Sequence, residues 1–340
     1  MIAAEGPNRV FVEITRGGTV ESRHRGAAAV VDADGALVAA WGDVDRPVFP
    51  RSAVKPIQAI PLLETGAADR FALTDAELAL ACASHGGAPE HLRVASHWLN
   101  RIGLGPGFLV CGPHPPICEE AAAALSRAGH SPTRLHNNCS GKHAGFLTTA
   151  LHLGAPTAGY GAPDHPIQRL VRQALSEMGG VDLRESAEGA DGCGVPVIAM
   201  PLSAIARGFA ALADPDRLGP RRAAAVRRIV AAMAAHPDLV AGRGRFETAV
   251  MRACGGAVIV KGGAEGVCAA VLPGTGLGIA VKIDDGAKRA AETAMAALLA
   301  RFASLDRRGS AALDAYLEMP VANTTGDRVG AVRLAPGWPG

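Results

Sequence analysis

Ser52 and Lys55 stand three positions apart in the stretch "VFPRSAVKPIQA". A serine hydroxyl is a weak nucleophile. A neighbouring lysine can take its proton if burial or nearby positive charge keeps the amine neutral. Lysine is scarce in this chain: only five of its 34 basic residues are lysines, and the rest are arginines, which do not deprotonate in proteins. On a helix, a spacing of three puts both side chains on one face. Pro50 and Pro56 fit a segment entering the first turn of a helix, where the N–H groups lack intrahelical partners. A Ser-x-x-Lys pair by itself is nonetheless common by chance.

Other clusters add chemistry. "ACASHGG" sets Ser84 at the end of an apolar helical run, before paired glycines, which also suits a plain helix C-terminus. "HNNCSGKHAGF", residues 136–146, gathers two amides, a thiol, a hydroxyl, a lysine and two histidines around Gly141, then runs into an apolar helix. A polar cluster opening an apolar helix suits anion binding or a catalytic constellation. "ADGCGVPV" places Asp191 and Cys193 among glycines that allow close approach of another group. Cys139, Cys193 and the nearby histidines are a start on a zinc site, but no C-x-x-C spacing accompanies them; two reduced, buried cysteines are the plain alternative. Lys261 ends the apolar run "AVIVK" ahead of two glycines and is a candidate carboxylate or proton-transfer partner. Lys282, after "LGIAV", reads as an exposed strand-edge lysine.

These residues need elements to hold them. "RVFVEITR", residues 9–16, alternates as a strand, and two apolar runs around "DADG" read as a hairpin. From about residue 53 to 240 the pattern is helical, punctuated by Gly and Pro. "AVIVKGGAEGVCAAVLPGTGLGIAVKIDDG" reads as three short strands, and "AKRAAETAMAALLARFASL" as a last helix. Strands from both ends around helices imply an α+β fold. The reading is a single domain over residues 1–340, with sheet regions at about 9–50 and 246–340 and a helical region at about 51–245.

Composition sets outer limits. The 340 residues are 49% hydrophobic and 19% charged, enough for a sizeable core. A net charge of +2, without like-charge runs or stacking aromatics, argues against a nucleic-acid surface. The N-terminus lacks the pattern of a signal peptide, and no apolar run reaches membrane-spanning length. A cytoplasmic protein with reduced cysteines and no membrane partner is expected.

"RSAVKPIQ", "CASHGG", "HNNCSGKHAGF", "DGCGVP" and "KGGAEGV" occur in this order across residues 51–267. Together they closely resemble the L-asparaginase II family of the Rhizobium etli type. The resemblance implies a fold similar to serine β-lactamases, penicillin-binding proteins and serine-dependent glutaminases, with a largely antiparallel sheet. It implies hydrolysis of L-asparagine to L-aspartate and ammonia, in a homodimer. It carries two Ser-Lys pairs onto Ser52 with Lys55 and Ser84 with Lys261, zinc ligands onto Cys139, Lys142 and Cys193, and substrate contacts onto Arg51, Asn138, His143 and Asp191. "KGG" departs from an expected "KTG"-like triplet but leaves the lysine in place. The expected mechanism is an acyl-enzyme one, with Ser52 favoured as nucleophile and Lys55 as base. Ser84 and Lys261 would then relay protons or supply the alternative nucleophile. Zinc is expected to position substrate or order the site. The alternatives are a glutaminase or β-lactam-type hydrolase on the same scaffold, or a non-catalytic amino-acid sensor.

Overall fold

The structure, a computed structural model, describes residues 8–340. Its strands are β1 (Arg9–Arg16), β2 (Thr19–Val31), β3 (Leu37–Trp41), β4 (Pro47–Val48), β5 (Glu188–Ala190), β6 (Pro196–Ile198), β7 (Met200–Pro201), β8 (Ile259–Gly262), β9 (Val267–Leu272), β10 (Leu277–Ile283), β11 (Glu318–Ala322) and β12 (Arg328–Leu334). The chain divides into two compact units. The first comprises residues 8–53, Met200–Asp214 and Val250–Gly340; the second comprises Val54–Ala199 and Pro215–Ala249.

The first unit is an antiparallel sheet in the order β11-β12-β1-β2-β10-β9-β8, with β3 also paired to β2. Strand β2 is its spine: Thr19–Gly26 pair with β1, Ala28–Val31 with β3, and Gly26–Val31 with β10. Strands from both chain ends thus share one sheet, and the fold is α+β, as the pattern of elements implied. β9 is buried at every residue, as a strand covered on both faces must be. The helices Leu202–Ala213 and Lys288–Phe302 pack on it and on β10. The first of these lies inside the region read as helical, yet belongs with the sheet. It follows directly on β7, which pairs with β4 through Pro47↔Pro201 and Val48↔Met200.

Two features depart from the sequence reading. Helix Lys288–Phe302 is not the last element; helix Arg307–Leu317 and strands β11 and β12 follow it. β11 reads "EMPVA", with a proline and no buried residue, so its apolar signal is weak. Lys282 is no edge residue, because β10 runs between β2 and β9. It is half-buried; burial and Arg46 hold its pKa below the ordinary lysine value.

The second unit is helical. "VKPIQAIPLLETGAADRF" forms three short helices, Lys55–Gln58, Ile60–Glu64 and Ala67–Arg70, rather than one. Pro56 and Pro61 each sit in a first turn, where proline starts a helix more readily than it continues one. Thr74 and Glu77 form a capping box that opens helix Asp75–Ala81. Helices Pro89–Arg101 and Pro166–Gly179 fall where the spacing predicts. Helix Ser140–Leu153 runs through the middle, buried continuously from Ser140 to Ala150. Among the described residues no helix is long and apolar enough to cross a membrane.

Gly141 explains how that helix meets its neighbour. A Cβ there would lie 2.2 Å from the Leu80 carbonyl oxygen, so the two helices touch backbone to backbone. Gly141→Ala should therefore destabilise the protein by about 1–3 kcal/mol or more, because a backbone carbonyl cannot step aside cheaply. Urea denaturation checks this; an unchanged midpoint would mean the helices separate without cost.

Candidate active site

Lys55 opens a helix and is fully buried. Its Nζ donates to the Ala83 carbonyl and lies 3.0 Å from Ser84 Oγ and 3.1 Å from Cys139 Sγ. An ammonium has three N–H donors, and these three partners match them. The neutral amine has two donors and a lone pair. Ala83 offers only an acceptor, so the proton for that lone pair has to come from Ser84 or Cys139.

Local structure fixes Ser84. Helix Asp75–Ala81 stops short of it, leaving residues 83–88 as irregular backbone. Ser84 N–H donates to the Val240 carbonyl at 2.9 Å, and His85 N–H to the Asn138 carbonyl at 3.1 Å. Asn138 N–H donates in turn to His114 Nε2 at 2.9 Å, and its side-chain amide lies 3.3 Å from Cys139 Sγ. The motifs "CASHGG" and "HNNCSGKHAG" are thereby stitched together through backbone and side chain alike.

Cys139, Lys142 and Cys193 form the second half of the cluster. Lys142 Nζ lies 3.1 Å from Cys193 Sγ. Cys193 is held in a tight turn, with Gly194 N–H donating to the Asp191 carbonyl and Asp191 N–H to the Val195 carbonyl, both at 2.8 Å. The neighbouring Cys193 thiol holds Cys139 well below the ordinary thiol pKa against the effect of burial; Lys55 and Lys142 add to the pull. Cys139 and burial push the Cys193 thiol far up. Burial works against charge on Lys142, but Cys193, Cys139 and Asp191 outweigh it and raise its pKa. Among the described residues no three His, Cys, Asp or Glu side chains converge on a metal position. The donor chemistry fits a soft tetrahedral ion only with Lys142 as a neutral third ligand and a fourth ligand from outside.

His143 is fully buried. Its Nδ1 lies 2.7 Å from the Tyr160 hydroxyl, which accepts the Val110 N–H at 2.9 Å. Its Nε2 is buried without a partner. Burial, then Lys142 and Lys55, hold this imidazole well below the ordinary histidine pKa and keep it neutral.

The remaining sequence candidates belong to the first unit. The turn Arg51–Val54 is 3-10, and the α-helix begins only at Lys55, so Ser52 and Lys55 do not share the single α-helix face that their spacing suggested. Arg51 has a left-handed backbone, φ +51°, uncommon for a non-glycine residue. Lys261 is buried at the end of β8, and its Nζ donates to the Gly262 carbonyl at 2.6 Å. A Cβ on Gly263 would meet the Pro50 carbonyl oxygen at 2.9 Å, so the end of "KGG" lies against the turn that carries Ser52. Ser84 is thus within hydrogen-bond reach of Lys55, and the strand of Lys261 approaches the Ser52 turn.

Sequence reasoning passed over His85, Ser140 and Tyr160. His85 and Ser140 sat inside the quoted motifs beside more reactive neighbours. Tyr160 is one of two tyrosines in the chain, and its full burial was the missing signal.

A serine hydroxyl within hydrogen-bond reach of a buried lysine amine is an arrangement capable of nucleophilic chemistry. Residues 12–334 match the model of the L-asparaginase II family, and the chain belongs to that family. A comparison with curated proteins finds no match. Solved structures to which the chain is similar include Mglu in its native form, at 15% identity and TM-score 0.43, over 86% of this chain. The chain spans 64% of Mglu, less than two thirds of its length. A β-lactamase of Mycobacterium bovis is similar at 16% identity and TM-score 0.39, over 82% of this chain and 94% of that one. A mutant of the Aspergillus terreus simvastatin synthase LovD is similar at 15% identity and TM-score 0.40, over 86% and 92%.

The buried histidines make stability depend on pH. Burial lowers the pKa of His85, His91 and His143 below the ordinary value. The unfolded chain therefore binds more protons than the folded one once pH falls below about 6.5, and stability drops as pH falls through that window. Urea midpoints should be level above about pH 7 and decline steadily toward about pH 5. A midpoint that rises on acidification would contradict neutral burial of these rings.

Proposed function

We propose that the protein hydrolyses L-asparagine to L-aspartate and ammonia through a serine acyl-enzyme, with Ser84 as nucleophile and Lys55 as its base. The observation that carries this reading is the 3.0 Å approach of Lys55 Nζ to Ser84 Oγ. Neutral Lys55 takes the hydroxyl proton as Ser84 Oγ bonds to the side-chain amide carbon. The proton then passes to the departing amide nitrogen, and ammonia leaves. Water attacks the ester carbon as Lys55 accepts its proton; Lys55 then returns that proton to Oγ as the ester bond breaks, releasing aspartate and restoring the Ser84 hydroxyl and the neutral amine.

The substrate also carries an α-ammonium and an α-carboxylate. Asp191 is proposed to meet the ammonium, and Arg51 or His143 the carboxylate; the unpartnered His143 Nε2 supports a polar ligand there. Asn138 is proposed to contact substrate, and Ser52 with Lys261 to relay protons. Zinc would be held by Cys139, Cys193 and Lys142, and bound there it would supply fixed positive charge for ordering substrate. A cytoplasmic homodimer is proposed from the family resemblance; sedimentation would show a monomer if the assembly is wrong.

A second reading makes Ser52 the nucleophile. It is favoured by the left-handed backbone at Arg51, since strain of this kind gathers at functional sites. Paired variants separate the two. Ser84→Ala should lower asparagine turnover by about 10⁴-fold or more, with Ser52→Ala less damaging. The reverse order would transfer the role to Ser52. Ammonia released faster from glutamine, or nitrocefin turned over in preference to asparagine, would move the substrate assignment. Absence of turnover with all three would favour an amino-acid sensor.

The metal assignment has its own test. Cys193→Ala should strip zinc from the purified protein and raise KM more than it lowers kcat. Full zinc retention would place the ligands elsewhere, and a fall in kcat matching Ser84→Ala would give the metal a part in the chemistry.

A further inference from the structure

The imidazole of His85, next in sequence to Ser84, is fully buried, and its hydrogen bonds fix its proton. Gly87 N–H points at Nδ1 at 3.1 Å, so Nδ1 presents a lone pair. The ring proton is then on Nε2, which lies 2.8 Å from Ser140 Oγ and donates to it. His91 stacks on this ring, with centroids 4.9 Å apart and planes 13° apart, and repeats the pattern. Its Nδ1 accepts the Ala88 N–H at 3.2 Å, and its Nε2 donates to the Asp238 carbonyl at 2.8 Å. The two rings tie the loop of Ser84 to residues 138–140 on one side and 238–240 on the other.

Ser140 follows Cys139, whose sulfur lies 3.1 Å from Lys55 Nζ. A closed circuit results: Ser84 to His85 by the chain, His85 to Ser140 by the ring proton, Ser140 to Cys139 by the chain, and Cys139 through Lys55 back to Ser84. We infer that His85 is a positioning residue, which sets the approach of Ser84 Oγ to Lys55 Nζ by donating from Nε2 to Ser140 Oγ. It touches neither substrate nor the reacting atoms. Its role rests on the reading of Ser84 as nucleophile. The ring's hydrogen-bond state can be tested without that reading.

The experiment combines kinetics of His85→Ala, His85→Gln and Ser140→Ala with ¹⁵N NMR of histidine-labelled full-length protein. Glutamine can present an amide N–H where Nε2 stood, but not the Nδ1 acceptor. His85→Ala and Ser140→Ala should each lower kcat by about 10- to 100-fold, as a small misplacement of a reacting group does, with KM little changed. His85→Gln should recover most of that loss. In the wild type, the His85 resonances should report a neutral ring protonated at Nε2, and Ser140→Ala should shift the Nε2–H signal. Folded variants with unchanged kcat, a loss confined to KM, or no recovery in His85→Gln would overturn the positioning role. A wild-type ring protonated at Nδ1, or an Nε2–H signal indifferent to Ser140→Ala, would overturn the hydrogen bond itself. Wild-type protein inactive on asparagine but showing the expected NMR pattern would defeat the functional reading and leave the clamp standing.

Discussion

A lysine without solvent exposure is costly unless each of its donors finds an acceptor. Lys55 sits in that position, and much of the helical unit serves to satisfy it. Its acceptors come from two separate stretches of chain: Ala83 and Ser84 from the irregular segment after helix Asp75–Ala81, and Cys139 from the start of helix Ser140–Leu153. These stretches meet because Gly141 lets the second helix rest on the Leu80 carbonyl. The close helix contact, the loop bonds to Asn138 and Val240 and the buried imidazoles all follow from bringing three acceptors to one amine.

Two features set the electrostatics of this cluster. Cys139 and Cys193 are driven apart in acidity, Cys139 down and Cys193 up, with Lys55 beside the first sulfur and Lys142 beside the second. His143, by contrast, stays neutral because both lysines oppose its protonation within a buried setting. The Nε2 of this ring is buried without a hydrogen-bond partner.

The sequence carried the chemistry better than the connectivity. Ser84, Cys139, Lys142 and Cys193, which the structure gathers into one buried cluster with Lys55, stand in motifs where polar side chains crowd around glycines, and the sheet strands β1, β2, β9 and β10 were legible from alternation or apolar runs. The contact of Lys55 with Ser84 was not legible. The spacing of three drew attention to Ser52, which stands in a 3-10 turn ahead of the short helix that Lys55 opens. Ser84 is 29 positions away from Lys55, and a contact that long-range leaves no periodic trace. Strands β11 and β12 were missed because their side chains are half-exposed and hold little apolar pattern. His85 escaped for a different reason: its function is to hold other groups, and residue type alone does not distinguish that from a buried spectator.

The most direct test of the central claim, that Lys55 and Ser84 are the reacting pair, is to find where the acyl group goes. Protein quenched in acid during turnover of asparagine, digested and mapped by mass spectrometry, should carry an aspartyl ester on the peptide containing Ser84, and Lys55→Gln should abolish it. An aspartyl ester on the peptide containing Ser52, with the Ser84 peptide unmodified, would contradict the account.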